Sequence, residues 1–279
     1  MLRFLLVSIL LVALGGGAYL ALTPQGRQFI DRVHVNLDRA EHRARFRAGK
    51  SLRGTPDLAR FDARLKDKGV ALGAPVYLRI YKLSSEIEVW VQKGDRFEHF
   101  ATYPICMWSG RLGPKLREGD RQAPEGFYTV DKDALNPNSR MHLSFNLGFP
   151  NVYDRGKGRT GSFLMVHGGC ASIGCYAVTD NVVDEVWALV TAALDNGQQR
   201  IPVHAFPFRM TEHNLRLRKG DRWAGFWADL KKGADLFDKT KVPPVVSVCD
   251  GRYVFEDGSL ATIASEVEER CPPEIAGNS

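Results

Sequence analysis

Residues 76–105, VYLRIYKLSSEIEVWVQKGDRFEHFATYPI, alternate apolar and polar side chains with the period of two that a half-buried strand requires. The run divides into VYLRIYK, EIEVWVQ and FEHFATYPI, each rich in β-branched and aromatic residues, with KGDR as a turn. This pattern predicts antiparallel strands joined as hairpins. Outward from it, GFYTV at 126–130, MHLSFNL at 141–147, SFLMVH at 162–167 and RIPVHAF at 200–206 read as further strands. One long helix intervenes, NVVDEVWALVTAALDNG, capped around Asp180 or Asn181 and stopped at Gly197. The expected class is α+β, mainly β.

Upstream, DLARFDARLKDKG reads as a short helix with Thr55 as N-cap, Pro56 in the first turn and Gly69 as the stop. Residues 25–50 are rich in Arg, His and Asp without a sustained apolar stripe, as expected of a charged helical stalk that spaces the domain from a membrane. Before them, FLLVSILLVALGGGAYLAL is a nearly uninterrupted apolar run ending before Thr23. It fits a cleaved signal peptide or an uncleaved membrane anchor, and either exports the rest of the chain.

With 44% hydrophobic and 25% charged residues, the chain has the composition of an ordinary globular protein. A net charge of +6 favours an anionic neighbourhood. No basic run interleaved with aromatics points to nucleic acid.

Chemistry is concentrated in VHGGCASIGCYAVTD, residues 166–180. His167 precedes Cys175 by eight residues, and Gly174 frees the backbone beside the thiol to turn sharply. A cysteine nucleophile needs a base and N–H groups aimed at an oxyanion, and this segment offers all three. The oncoming helix adds the positive end of a dipole, which favours the thiolate.

Export opens disulfide chemistry to the five cysteines. Cys249 and Cys271 read as a structural pair, and Cys106, within TYPICMW, as a small buried hydrophobe. Cys170 competes with Cys175 as nucleophile, disulfide partner or filler. His167, Cys170 and Cys175 could together ligate zinc, but no second paired set completes a four-ligand site. No metal or cofactor is therefore expected.

The stretch HGGCASIGCYAVTD, with APEGFYTV upstream, resembles the YkuD-type L,D-transpeptidase domain and in particular its YafK-like branch. The resemblance rests on His167, Gly168, Ser172, Gly174 and Cys175, and extends through YPICMWSGRLGPKLREGDRQAPEGFYTV and LSFNLGFPNVYDR to cover roughly residues 75–207. Ile173 and Ala177 stand where the wider family has histidine and arginine.

The resemblance implies a β-sandwich or barrel domain over 71–207 acting on peptidoglycan stem peptides through a thioester. Residues 1–22 precede it as signal or anchor, 23–70 as stalk, and 208–279 follow as an extension. Cys175 is the implied nucleophile and His167 its base, with the backbone N–H groups of Gly174 and Cys175 as oxyanion hole. Ser172, Gly168, Tyr153 and Arg111 are expected at the substrate.

Crosslinking transfer and amide hydrolysis releasing a wall-linked lipoprotein are the two implied outcomes. A non-catalytic wall-binding module is the rival, and the periplasm is the implied compartment, soluble or held at the inner membrane. Among other polar residues, Arg111, Lys115 and Arg117 could meet substrate carboxylates. His142, Tyr153, Asp154 and Arg155 could line a cleft, and His204 reads as structural. In the tail, Trp223, Phe226 and Trp227 share a helical face suited to packing on the β domain.

Overall fold

The structure, a computed structural model, describes Tyr19, residues 23–263 and residues 265–271. The segment assigned as signal or anchor thus lies, apart from Tyr19, outside the described residues. Among these, no helix is long and apolar enough to cross a membrane.

Helix α1 (Pro24–Arg47) opens the described chain, with the Thr23 hydroxyl accepting the Gly26 N–H as its cap. A 3₁₀ turn at Leu58–Arg60 leads into α2 (Phe61–Lys68). The cap there is Asp57, not Thr55, because the Asp57 carboxylate accepts the Ala59 N–H while the Thr55 hydroxyl has no partner. Gly69 ends α2 in the left-handed conformation, as expected.

Strands β1 (Val76–Tyr81), β2 (Glu86–Lys93) and β3 (Arg96–Pro104) form the antiparallel meander read from the opening stretch. Short β4 (Met107–Trp108), then β5 (Gly126–Val130), β6 (Leu135–Ser139), β7 (His142–Asn146), α3 (Val152–Gly156), β8 (Met165–His167) and β9 (Tyr176–Ala177) follow. The chain continues through α4 (Asp180–Asp195), β10 (Ile201–Phe206), α5 (Glu212–Arg216), α6 (Ala224–Thr240), β11 (Val245–Cys249), β12 (Arg252–Glu256) and β13 (Glu268–Glu269).

The strands make two open five-stranded sheets, ordered β3-β2-β1-β10-β5 and β4-β9-β8-β7-β6, and a three-stranded sheet, β12-β11-β13. None closes into a barrel, and the architecture is mixed and mainly β. Three pairings are parallel, β1 with β10, β8 with β9, and β11 with β13.

The alternation in β1 explains the layering. Val76, Leu78 and Ile80 face a core shared with Val166 and Tyr176 of the second sheet and with Val182, Val186 and Leu189 of α4. Tyr77 and Tyr81, on the opposite face, pack under α6 and the third sheet. Both faces of β1 are therefore buried, and all six of its residues are inaccessible. Gly233 lets α6 approach this closely, since a Cβ there would stand 2.8 Å from Phe127 and 2.5 Å from Phe255.

Helix α1 forms where the stalk was placed, but it lies along the domain instead of standing away from it. Val35 enters the main core, Asp31 receives a bidentate grip from Arg218 at 2.8 and 2.9 Å, and His42 Nδ1 meets the Ile105 carbonyl at 2.9 Å. Three docking points spaced along one face took the place of the apolar stripe that the sequence lacks.

Candidate active site

Strands β8 and β9 lie side by side in parallel, with His167 opposite Ala177 and Val166 opposite Tyr176. Extending that register by one residue sets position 175 against Met165, two residues along from His167. The strand pleat puts positions 175 and 167 on one face, about 7 Å of rise apart. Eight residues in sequence are thus folded back by the 168–175 loop into near neighbours.

That loop is held at every turn. Gly169 donates its N–H to Asp180 Oδ1 at 2.6 Å. Cys170 is bridged to Cys106, just before β4. Ser172 Oγ donates to the Cys175 carbonyl at 2.7 Å, and Ser109 Oγ accepts the Gly174 N–H at 2.5 Å. Gly174 has φ +122°, in the region an L side chain rarely adopts.

Cys175 is the single free cysteine, and it is half-buried. Its Sγ accepts the Met165 N–H at 3.3 Å, and its S–H faces the Phe163 carbonyl at 3.6 Å. Burial pushes the thiol pKa up, opposed by the Met165 N–H and by the charge of Lys115. Desolvation is the largest of these influences on the thiol, and β9 separates Cys175 in sequence from the start of α4.

His167 is buried, and burial pulls its pKa down, opposed by the Gly168 carbonyl that its Nδ1 meets at 2.6 Å. Nδ1 therefore carries the proton, leaving Nε2 as the free base of a neutral imidazole. Ring and thiol are not hydrogen-bonded to each other here. The S–H is directed at the Phe163 carbonyl.

Several expectations are relocated. Cys106 is not a free hydrophobe, and Cys170 is neither an alternative nucleophile nor a zinc ligand, because the two form a disulfide. Cys249 and Cys271 pair as expected. The Gly174 N–H is occupied by Ser109 Oγ, so it reaches an oxyanion only by exchanging that partner.

Tyr153 lies in no cleft: it is buried, stacked 4.1 Å from Tyr253 and 5.8 Å from Phe226. Asp154 is buried against Arg159, and Lys115 is pinned by Asp120 at 2.6 Å. His142 is exposed with φ +68° and pairs with Asp184 at 2.6 Å, which raises its pKa. Gly168 leaves no room for a side chain beside it, since a Cβ would stand 3.0 Å from that of His142. Arg111 is exposed on a cavity beside α1.

His204 is fully buried and bonded to Tyr77 Oη at 2.7 Å, a structural role as expected. Trp227 and Phe226 pack into the second core, with Trp227 Nε1 donating to Glu125. Ser109 and Phe163 were missed. Ser109 stands 65 residues from the N–H it holds, with no motif to mark it, whereas the left-handed backbone at Phe163, φ +53°, is invisible in a residue of that type.

No protein-family model matches the chain. Over 207 residues it is 46% identical to a protein of Escherichia coli strain K12 that carries the provisional name L,D-transpeptidase YafK, across 74% of this chain and 81% of that one. The counterpart in E. coli O157:H7 matches equally. Among solved structures, the helical cell shape determining protein Pgp2 of Campylobacter jejuni is similar with a TM-score of 0.39 and 18% identity, covering 64% of this chain and 68% of that one. Bd1075 of Bdellovibrio bacteriovorus has a TM-score of 0.35 and 18% identity, covering 60% and 61%.

Proposed function

The chain belongs to the YafK-like L,D-transpeptidases, and on that premise we propose that Cys175 is the nucleophile of an acyl transfer on peptidoglycan stem peptides. The observation that carries this reading is the pairing of the only unbridged thiol with a neutral, Nδ1-anchored imidazole on adjoining parallel strands. Nε2 of His167 takes the thiol proton, and Sγ attacks the carbonyl at the L-centre of a diaminopimelate residue. The C–N bond breaks, and the departing D-amino acid leaves with the proton that His167 returns to its amine. An incoming amine then resolves the thioester, or water does so in a hydrolytic turnover.

The oxyanion of each tetrahedral intermediate is held by the Cys175 N–H and by the Gly174 N–H once Ser109 Oγ is displaced. Ser172, on the Cys175 carbonyl, keeps the turn in place. The raised thiol pKa gives the imidazole a necessary part, since little thiolate exists before the base acts. The reaction places the protein outside the cytoplasm, in the periplasm. The two disulfides and the N-terminal apolar run support that location.

Acylation by a carbapenem, followed by intact-protein mass, tests the nucleophile. One adduct per chain is expected, lost in Cys175→Ala and strongly slowed in His167→Ala. An adduct that persists in Cys175→Ala sinks the nucleophile assignment, and no adduct on the unsubstituted chain favours a wall-binding module. Muropeptide mass analysis separates the outcomes, since new crosslinks mark an amine acceptor and released lipoprotein remnants mark water.

A further inference from the structure

A cavity of about 460 Å³ opens between α1, the 109–122 loop and residues 218–227, a size typical of ligand sites. Its charges are unbalanced. The three aspartates on its walls are already engaged: Asp31 by Arg218, Asp120 by Lys115, and Asp221 by Gln28 and the Trp223 N–H. Arg27, Arg39, Arg111 and Arg222 line the same walls, and among the described residues none meets a carboxylate.

The Nε atoms of Arg27 and Arg39 are buried without an acceptor. Burial, with Arg43 adding to it, brings the Arg39 pKa down to about 10. A guanidinium so placed has lost water without gaining a counter-charge, a cost that an anionic ligand would offset. Arg39 also lies 4.1 Å over the ring of Trp108, and Arg222 4.7 Å over that of Trp223. Trp108 is itself buried, so the cavity offers the half-buried Trp223 ring beside fork-shaped donors, a geometry for carboxylates carried on rings and short peptides.

The cavity shares a wall with the thiol site. Gln122 lines it, and its carbonyl is 3.7 Å from where a Cβ of Gly174 would stand. Ser109, beside Gly110 of the lining, holds the Gly174 N–H.

We propose that this cavity is a second binding site, separate from Cys175, for a carboxylate-bearing muropeptide. Arg27, Arg39 and Arg111 take the carboxylates, and the half-buried Trp223 takes a sugar face. The ligand's identity rests on the proposed function. Two features favour a wall fragment over a lipid headgroup: the Trp223 face suits a pyranose ring, and the 109–122 loop that lines the cavity also touches Gly174 beside the thiol.

The test uses the full chain carrying Cys175→Ala, titrated calorimetrically with a disaccharide tetrapeptide bearing free carboxylates. Binding is expected that weakens by about tenfold or more in Arg39→Met and in Arg111→Glu, the latter at an exposed position where folding is not at stake. Amidating the ligand's carboxylates should weaken binding to the unsubstituted cavity to a similar degree.

Absence of binding, or equal affinity across the arginine variants, overturns the proposal. So does capture by phosphatidylglycerol vesicles that the variants abolish while muropeptide affinity stands. Carbapenem acylation of the unsubstituted chain reports on the thiol reaction independently. Acylation without cavity binding removes this site and leaves the reaction standing, and binding without acylation does the reverse.

Discussion

The 168–175 turn and the Lys82–Glu125 pair are polar clusters at either side of one loop, built on opposite terms. Around Cys175, Phe163 is 74% and Ile173 80% exposed, the thiol proton faces a carbonyl at a long 3.6 Å, and the Gly174 N–H is held by a hydroxyl, Ser109 Oγ. Around Glu125 nothing is exposed: Oε1 receives Lys82 at 2.9 Å and the Gly113 N–H at 2.7 Å, and Oε2 receives Trp227 at 2.9 Å. Lys82 also donates to the Gly113 and Ala123 carbonyls, pinning both ends of the loop that separates the two clusters. The buried cluster has its charged atoms fully bonded and out of solvent, while the turn keeps an unbridged thiol among exposed side chains.

The sharpest way to break this contrast is the thiol itself: Cys175→Ala should remove acylation entirely while leaving the melting temperature nearly unchanged. Next in size, Glu125→Leu alone should cost about 3–5 kcal/mol in denaturant unfolding, because it strands a buried ammonium. The double variant Lys82→Met with Glu125→Leu should recover a substantial part of that loss. If Glu125→Leu instead stops acylation at unchanged stability, the pair belongs to the reacting site and the contrast fails.

Gly174→Ala should cost roughly 1–3 kcal/mol through its positive φ and slow acylation by tilting the turn.

A pH series sharpens the same comparison. Because burial lowers the His167 pKa, the imidazole stays neutral further into acid, so the acid limb of the acylation rate should fall below the ordinary histidine value of about 6.5. Because burial raises the Cys175 pKa, alkylation by iodoacetamide in His167→Ala should still be climbing above about pH 8.5. A rate already flat at pH 8 would show a helix-activated thiolate instead. Smallest of all, Ile173→Ala should change stability by no more than about 0.5 kcal/mol, since the side chain projects into solvent.

The elements that could be read directly were those whose own residues carry the signal. β1, β2, β3, β5 and β10 have the alternation and branching of strands, and α4 has sixteen residues with an apolar stripe. β4 and β9 are two residues each, and β6, LNPNS, has no apolar alternation, so these exist only through their neighbours' hydrogen bonds. Tyr153 illustrates the same limit within the site. Its aromatic ring suits a cleft or a core equally, and stacking on Tyr253, a hundred residues onward, decided for the core.

By itself the sequence determined the mainly β class and singled out His167, Cys175 and the turn glycines between them, and it marked Cys249 and Cys271 as a candidate pair whose bridge the structure then showed. These are local matters of side-chain period, residue chemistry and backbone freedom. Only the tertiary structure decided that Cys106 takes Cys170 and leaves one thiol free, that Ser109 occupies the Gly174 N–H, and that α1 folds back to enclose an arginine-lined cavity. Each of those joins residues dozens to nearly two hundred positions apart, where contact depends on how the layers pack and no short-range pattern reports it.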